Sequence, residues 1–491
     1  MRKKIISLLL TVVLVCNLLP SVAFADTEFE TADQAVSSIN VGWNLGNTFD
    51  AYGTWITNNG TSSYETSWGN PVTTQAMIQS VHDQGFNAIR IPITWSQHID
   101  SNNNIDSSWM ARVREVVDYA YDLGMYVIIN VHHDTGETRP GETVSWIFAE
   151  NDNFEQQKDK FISVWTQIAN EFKDYGDHLL FEGYNEIIDG QNTWGSPGSS
   201  DSYEAVASYA QTFVDTVRAT GGNNSVRNLI FNTYVGSNEQ VVLDNTVVPV
   251  DSATNHLILE VHMYTPWSFT GTSQSVTWTS THNDFNDSDK TEISNYLNSI
   301  SNWSNQHNIP VIIGEFGAEY KNNDDERAEF AAYFISEAAS RGIKCFWWDN
   351  GDWNEGSEEG GYAIFNRNSL TWREGIVDAL ISNSVSENNN PTSEITPEPT
   401  ETTAVTESTT ETSGATSETT IESSLESETD ATSVIETTVS TNEATDDNNE
   451  NDKEDKKFNY KPIVITMVII AVILYAVGMY MLGKKSRNKK K

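Results

Sequence analysis

The sequence predicts an α/β fold, a closed (β/α)8 barrel of the TIM type, on three observations. Short apolar, β-branched runs alternate with longer helical patterns between residues 26 and 383, the signature of a parallel sheet with crossover helices. Eight such pairs in about 360 residues match a barrel with some loop insertions. Polar and aromatic residues collect where the runs end, and the carboxyl ends of barrel strands are where reacting groups gather.

The expected strands, in order, are Val41 to Leu45, Ala88 to Pro92, Tyr126 to Val131, Leu179 to Tyr184, Leu229 to Thr233, Leu257 to Tyr264, Val311 to Glu315 and Ile343 to Trp348. Their Val, Ile and Leu runs read as strands buried on both faces. Of the helices, Ser107 to Leu123 and Phe154 to Tyr175 carry apolar residues at three and four spacing, and Asp325 to Ser340 opens on acids that suit a helix start. Trp165 and Trp303 fall in helical patterns and are expected in the core. Trp55, Trp68, Trp146, Trp194, Trp267, Trp278 and Trp353 fall in loops.

Outside the barrel the composition changes. Residues 1–25 have a basic start, an apolar run from Ile5 to Val15 and an Ala23-Phe24-Ala25 end, which reads as a secretory signal peptide. Cys16 lies within it, so Cys345 is the one cysteine left and stability must come from a core. Residues 384–460 are rich in Thr, Ser and Glu, without Lys or Arg before Lys453. Such a segment buries too little apolar surface to offset its ordering entropy and is expected to be a disordered linker. Residues 461–483 include the uncharged run Ile463 to Leu482, long enough as a helix to cross a hydrocarbon core of about 30 Å. The basic tail 484–491 marks the cytoplasmic side of that transmembrane helix. The expectation is a chain secreted through its signal peptide and anchored to the cell membrane, with a monomeric folded domain outside. No Leu-Pro-x-Thr-Gly signal precedes the helix; a non-standard wall-sorting signal is the alternative. The net charge of -40 argues against a nucleic-acid partner.

The strand ends carry the chemistry. Val311-Ile312-Ile313-Gly314-Glu315-Phe316-Gly317 ends a buried run in a lone carboxylate, and Tyr184-Asn185-Glu186 places another on the fourth strand. Two acids facing each other across a barrel mouth suit a paired acid and nucleophile. Arg90 is a natural charge partner for one of them and would hold it ionised, while the less compensated acid keeps its proton. Fifteen tryptophans favour a sugar substrate, because an indole face matches the apolar face of a pyranose ring. His132-His133-Asp134 suggests a metal, but alternation along a strand would point the two imidazoles to opposite faces; no metal or cofactor is expected. Asp100 to Asn104 resembles the start of a calcium loop, yet Ile105 stands where Gly is needed, and a turn is the better reading.

Five motifs in order resemble glycoside hydrolase family 5: Gly42-Trp43-Asn44-Leu45-Gly46-Asn47-Thr48, Glu65-Thr66-Ser67-Trp68-Gly69-Asn70-Pro71, Phe86-Asn87-Ala88-Ile89-Arg90-Ile91-Pro92, Asn185-Glu186 and Gly314-Glu315-Phe316-Gly317. The first two resemble its subfamily 4 of endo-β-1,4-glucanases. The resemblance implies a retaining hydrolase of β-glucan polysaccharide, with Glu186 as acid/base and Glu315 as nucleophile. It further implies that Arg90 and Tyr264 orient the nucleophile and that Asn185 holds a sugar 2-hydroxyl. His132 and His262 would surround the cleavage subsite, Trp348 would floor it, and Trp68 joins the substrate-binding set. Cellulose, mixed-linkage glucan, xyloglucan and glucomannan stay open as polymers, to be separated by the loops of Trp55, Trp146, Trp194 and Trp267. A polysaccharide-binding adhesin without hydrolysis is the alternative of a different class; Arg90, Asn185, Glu186, Tyr264 and Glu315 together argue against it.

Overall fold

A computed structural model describes residues 29–56, 60–137 and 144–384. Eight parallel strands close a barrel in chain order: β1 Gly42–Leu45, β2 Ala88–Ile91, β3 Tyr126–Asn130, β4 Leu179–Glu182, β5 Leu229–Asn232, β6 Leu257–His262, β7 Val311–Phe316 and β8 Lys344–Asp349. All eight expected strands are present, with ends displaced by no more than two residues. The helices Ser107–Tyr121, Asn151–Glu171, Ser200–Thr220, Asp287–His307 and Asp324–Ala339 are the long crossovers. A short antiparallel hairpin, Phe365–Asn366 with Thr371–Trp372, precedes the last helix, Glu374–Ser382.

Strand alternation sorts the barrel into layers. Residues on the outer faces, among them Trp43, Ile89, Val127, Phe181, Leu259, Ile313 and Trp347, pack under the helices in one large cluster. Ala88, Ile128, Leu180, Ile230, Ile258, Ile312 and Phe346 point inward and form a second cluster with Ala32, Ala35, Val36 and Ile39. The helix Ala32–Ser38 therefore plugs the amino-terminal end of the barrel. It is started by a capping box between Thr31 and Gln34. Two residues further along the strands the inward set turns polar: Asn44, Arg90, Asn130, Glu182, Asn232 and Glu260, all buried.

β7 departs from regular alternation. Ile313 pairs with Val261, yet Glu315 pairs with His262, and the pairing with β8 shifts between Ile313 and Phe316. One extra residue is thus accommodated at Gly314. It lets Glu315 face the mouth while Ile313 and Phe316 both stay in the outer cluster. Such bulges re-aim side chains beside active sites.

The expected signal peptide 1–25, linker from residue 385 on, transmembrane helix 461–483 and tail 484–491 lie outside the described residues. Ser384, expected as the first linker residue, is buried and bonded to Ile381, so it closes the folded unit instead. No helix among the described residues is long and apolar enough to cross a membrane.

Candidate active site

Arg90 is the hub of the mouth and is fully buried. Its Nε and Nη2 donate to the two oxygens of Glu182 at 2.6 and 2.8 Å. Nη1 reaches Glu315 Oε1 at 2.7 Å and Asn44 Oδ1 at 3.1 Å, and Nη2 also reaches Asn185 Oδ1 at 2.8 Å. The expected pairing with one of the two strand-end acids, Glu315, is present, but the bidentate fork goes to Glu182, an acid the motifs do not single out. A charged residue inside Leu-Leu-Phe-Glu, a run otherwise buried on both faces, was the available signal, because such a charge needs a partner.

Glu315 is held from its other side by Tyr264, whose hydroxyl donates to Oε2 at 2.9 Å. Glu186 Oε1 accepts from His262 Nδ1 at 2.7 Å, and the same nitrogen lies 3.7 Å from Glu315 Oε2. One carboxylate oxygen from each of Glu186 and Glu315 and one ring nitrogen of His262 all fall within 4.8 Å of one another. One oxygen of each acid thus lies within 4.8 Å of the other, the close approach that suits a retaining pair, whose carboxyls stand about 5 to 5.5 Å apart.

Their environments divide their protons. Burial raises the pKa of Glu186, a rise that His262 only partly opposes. Burial pushes Glu315 the same way, but the charges of His262 and Arg90 and the hydrogen bonds from Tyr264 and Arg90 outweigh it and lower its pKa. His262 is opposed by burial yet raised well above the usual imidazole value by Glu315, Glu186 and Glu260. Glu182 is pushed up to about 7 by burial, against the pull of Arg90.

His132 is neutral, driven down by burial and by the neighbouring His133, Arg90 and His262. Asn130 Oδ1 accepts from Ile93 N, so its amide nitrogen donates to His132 Nδ1 at 3.0 Å. The proton of His132 then resides on Nε2. Its ring stacks at 9° on Trp348, centroids 6.0 Å apart. Trp348, not the buried Trp347, borders the cleft, as alternation from Phe346 requires.

The expected separation of His132 and His133 fails. β3 ends at Asn130, so both lie past the pleat, and their ring centroids are 4.5 Å apart. Donor atoms of Asp50, His132 and His133 fall within 4.8 Å of one another, but they are knit internally. Asp50 accepts from Thr48 N and Asn47 N at 2.6 and 3.0 Å. The Asp100 segment is the expected turn, its carboxylate accepting from Asn102 N and Asn104 N.

A cleft of about 610 Å³ opens over these groups, bordered by His132, Asn185, Glu186, His262, Tyr264, Glu315 and Trp348, and farther out by Trp194, Trp267 and Trp278. Not every expected tryptophan reaches it. Trp146 is buried and bonded to Asp134, and Trp55 is exposed away from the cleft lining. Trp68 stands behind the wall: its indole donates to Tyr52 O and packs on His133, which itself lines the cleft. The rest of its motif is a clamp, with Glu65 held by Arg112 at 2.8 and 3.1 Å and by Thr73 N at 3.0 Å. Tyr362 and Glu239, in segments beyond strand ends where periodicity gives no sign of them, and Tyr296, on the helix Asp287–His307, also border the cleft.

Residues 49–354 match the family model for cellulase, glycosyl hydrolase family 5. Endoglucanase A of Ruminococcus albus is 41% identical over 360 residues, which are 72% of this chain and 93% of that protein. The solved structure of a GH5-4 broad specificity endoglucanase from Clostridium longisporum superposes with a TM-score of 0.66 at 37% identity, covering 72% of this chain and 99% of its own. A glycoside hydrolase family 5 enzyme of Prevotella bryantii, crystallised with a xyloglucan tetradecasaccharide, gives 0.64 at 38% identity, over 72% and 99% of the two chains.

Proposed function

The chain belongs to glycosyl hydrolase family 5, the cellulases, and from that premise we propose that it is a retaining endo-β-1,4-glucanase in which Glu186 is the acid/base and Glu315 the nucleophile. One observation carries the reading: the two carboxyls lie within reach of one imidazole, with the pKa of Glu186 raised and that of Glu315 lowered. In the first step Glu315 attacks the anomeric carbon, the glycosidic bond breaks, and the proton of Glu186 passes to the leaving oxygen. In the second, water gives a proton to Glu186 and attacks the same carbon, which releases Glu315. Asn185, fixed by Arg90 through its Oδ1, keeps its NH2 end for the sugar 2-hydroxyl, and Trp348 floors the cleaved subsite.

Glu186→Gln and Glu315→Gln should each lower turnover of carboxymethylcellulose by about 10² to 10⁴, the usual worth of acid-base catalysis, or more. Undiminished turnover in either variant defeats the assignment. Proton NMR of the fresh product should record the β-anomer first; the α-anomer first would defeat retention.

The substrate is a β-1,4-glucan backbone taken with some tolerance of branching. The open cleft with Trp194, Trp267 and Trp278 along it supports this, as do relatives of broad specificity and one crystallised with xyloglucan. Turnover of cellulose, lichenan, xyloglucan and glucomannan side by side decides the preference. We further propose secretion through residues 1–25 and anchoring by residues 461–483, on their composition alone.

A further inference from the structure

The mechanism above leaves one buried acid unused. Glu260, two residues before His262 on β6 and on the same face, is fully buried. Its Oε1 lies 3.2 Å from His262 Nε2 and 3.3 Å from Arg90 Nε. Its Oε2 has no hydrogen-bond partner among the described residues. A buried carboxylate is costly unless paired. Arg90, already hydrogen-bonded at 2.6 to 2.8 Å to Glu182, Glu315 and Asn185, faces Glu260 as a neighbouring charge, while His262 is its hydrogen-bond partner. Space is kept for the contact on both sides. A methyl group at Gly314 would overlap Glu260 Oε1, and one at Gly236 would come within 3.0 Å of the His262 ring.

We propose that Glu260 is a positioning residue: by accepting the Nε2 proton of His262 it fixes the imidazole with Nδ1–H aimed at Glu186 Oε1, so that the catalytic proton of Glu186 resides on Oε2. The proposal rests on the reading of Glu186 as the acid. Arg90 on β2, His132 after β3, Glu182 and Glu186 on and after β4, Tyr264 after β6 and Glu315 on β7 are the titratable and charged groups around the ring. Only Glu186, Glu260 and Glu315 are paired with it within 3.7 Å. Their attraction keeps both nitrogens protonated, as two donated bonds require.

The test compares Glu260→Gln with wild type in the full chain on two substrates. Soluble β-glucan has a poor leaving group that needs the proton of Glu186; 2,4-dinitrophenyl β-cellobioside has one that departs without it. The loss in kcat/KM should be about tenfold or more greater on the glucan, a fraction of what general acid catalysis supplies. Equal losses would place the effect on Arg90 and Glu315, and no loss on the glucan would make Glu260 core filling; either overturns the proposal. Should Glu260→Gln fail to fold, Glu260→Asp keeps the charge but withdraws the carboxylate, and the same order of losses is expected. Glu186→Gln is the control. If it too loses equally on both substrates, the acid assignment itself falls. If it is selective and the Glu260 variant is not, the positioning role alone falls.

Discussion

Arg90 serves the two carboxylates differently, and that difference makes the site testable residue by residue. Its fork to Glu182 is geometry that Lys cannot reproduce, since an ammonium is a point charge without a planar pair of donors. Arg90→Lys should keep the fold, by circular dichroism, and lose about 10²-fold in kcat/KM, the scale of a displacement of about 1 Å at a reacting group. The pH profile follows from the two shifts. On the proposed mechanism activity needs Glu315 ionised and Glu186 protonated. With Glu315 lowered, the acid limb should fall below the ordinary carboxylate value of about 4.3, and with Glu186 raised, the alkaline limb should lie above it. The alkaline limb should therefore appear in kcat/KM on the glucan and be absent on the dinitrophenyl substrate, whose leaving group needs no proton; a limb present on both would belong to another group. Stability carries the opposite sign at His262. Its folded pKa is raised, so its contribution is full below about 6.5 and is lost as pH rises through the folded value. The melting temperature of His262→Asn should therefore differ most from wild type in the acid range, which a pH series of thermal melts would record.

At the scale of elements, Gly314 holds the design of β7. It is the extra residue that turns Glu315 inward, and it is the one inward position that leaves room for Glu260. Gly314→Ala must displace that carboxylate or the strand, and overpacking of this kind costs typically about 1 to 3 kcal/mol. A lowered melting temperature with activity reduced beyond the loss of folded protein is expected. Full activity would mean that Glu260 has another place to go. The eight strands were legible because β-branched runs buried on both faces leave a simple composition signal. So was the gathering of Arg90, Glu186, Tyr264 and Glu315 at one mouth, because those runs define the strand ends. The bulge at Gly314 was not, since one extra residue changes pairing without changing composition. Alternation misled at His133 for a related reason: β3 stops two residues before His132. Beyond a strand end the pleat rule has no hold. Trp68, placed in the substrate-binding set from its loop and motif, packs on His133.

For the whole molecule, the question is whether the barrel works apart from the rest of the chain. A stretch amounting to 72% of this chain matches 99% of the chain of a relative of solved structure, so that relative's chain is hardly longer than the matched stretch. Here the last described residue, Ser384, is buried against Ile381, and the mouth is built from strand ends and loops within residues 44–362. On the proposed reading, hydrolysis of a soluble polymer needs only that stretch, and location is set by residues outside it. The two are separable in one experiment. Activity of the full chain in cells should sediment with membranes and be released by detergent but not by high salt, because an apolar helix of about 20 residues is held by the hydrocarbon core and not by surface charge. A chain ending after Ser384 should appear in the medium with the same kcat/KM on carboxymethylcellulose. Full-chain activity that stays in the soluble fraction would sink the anchor, and a truncated chain with impaired turnover would mean that the later residues reach the cleft.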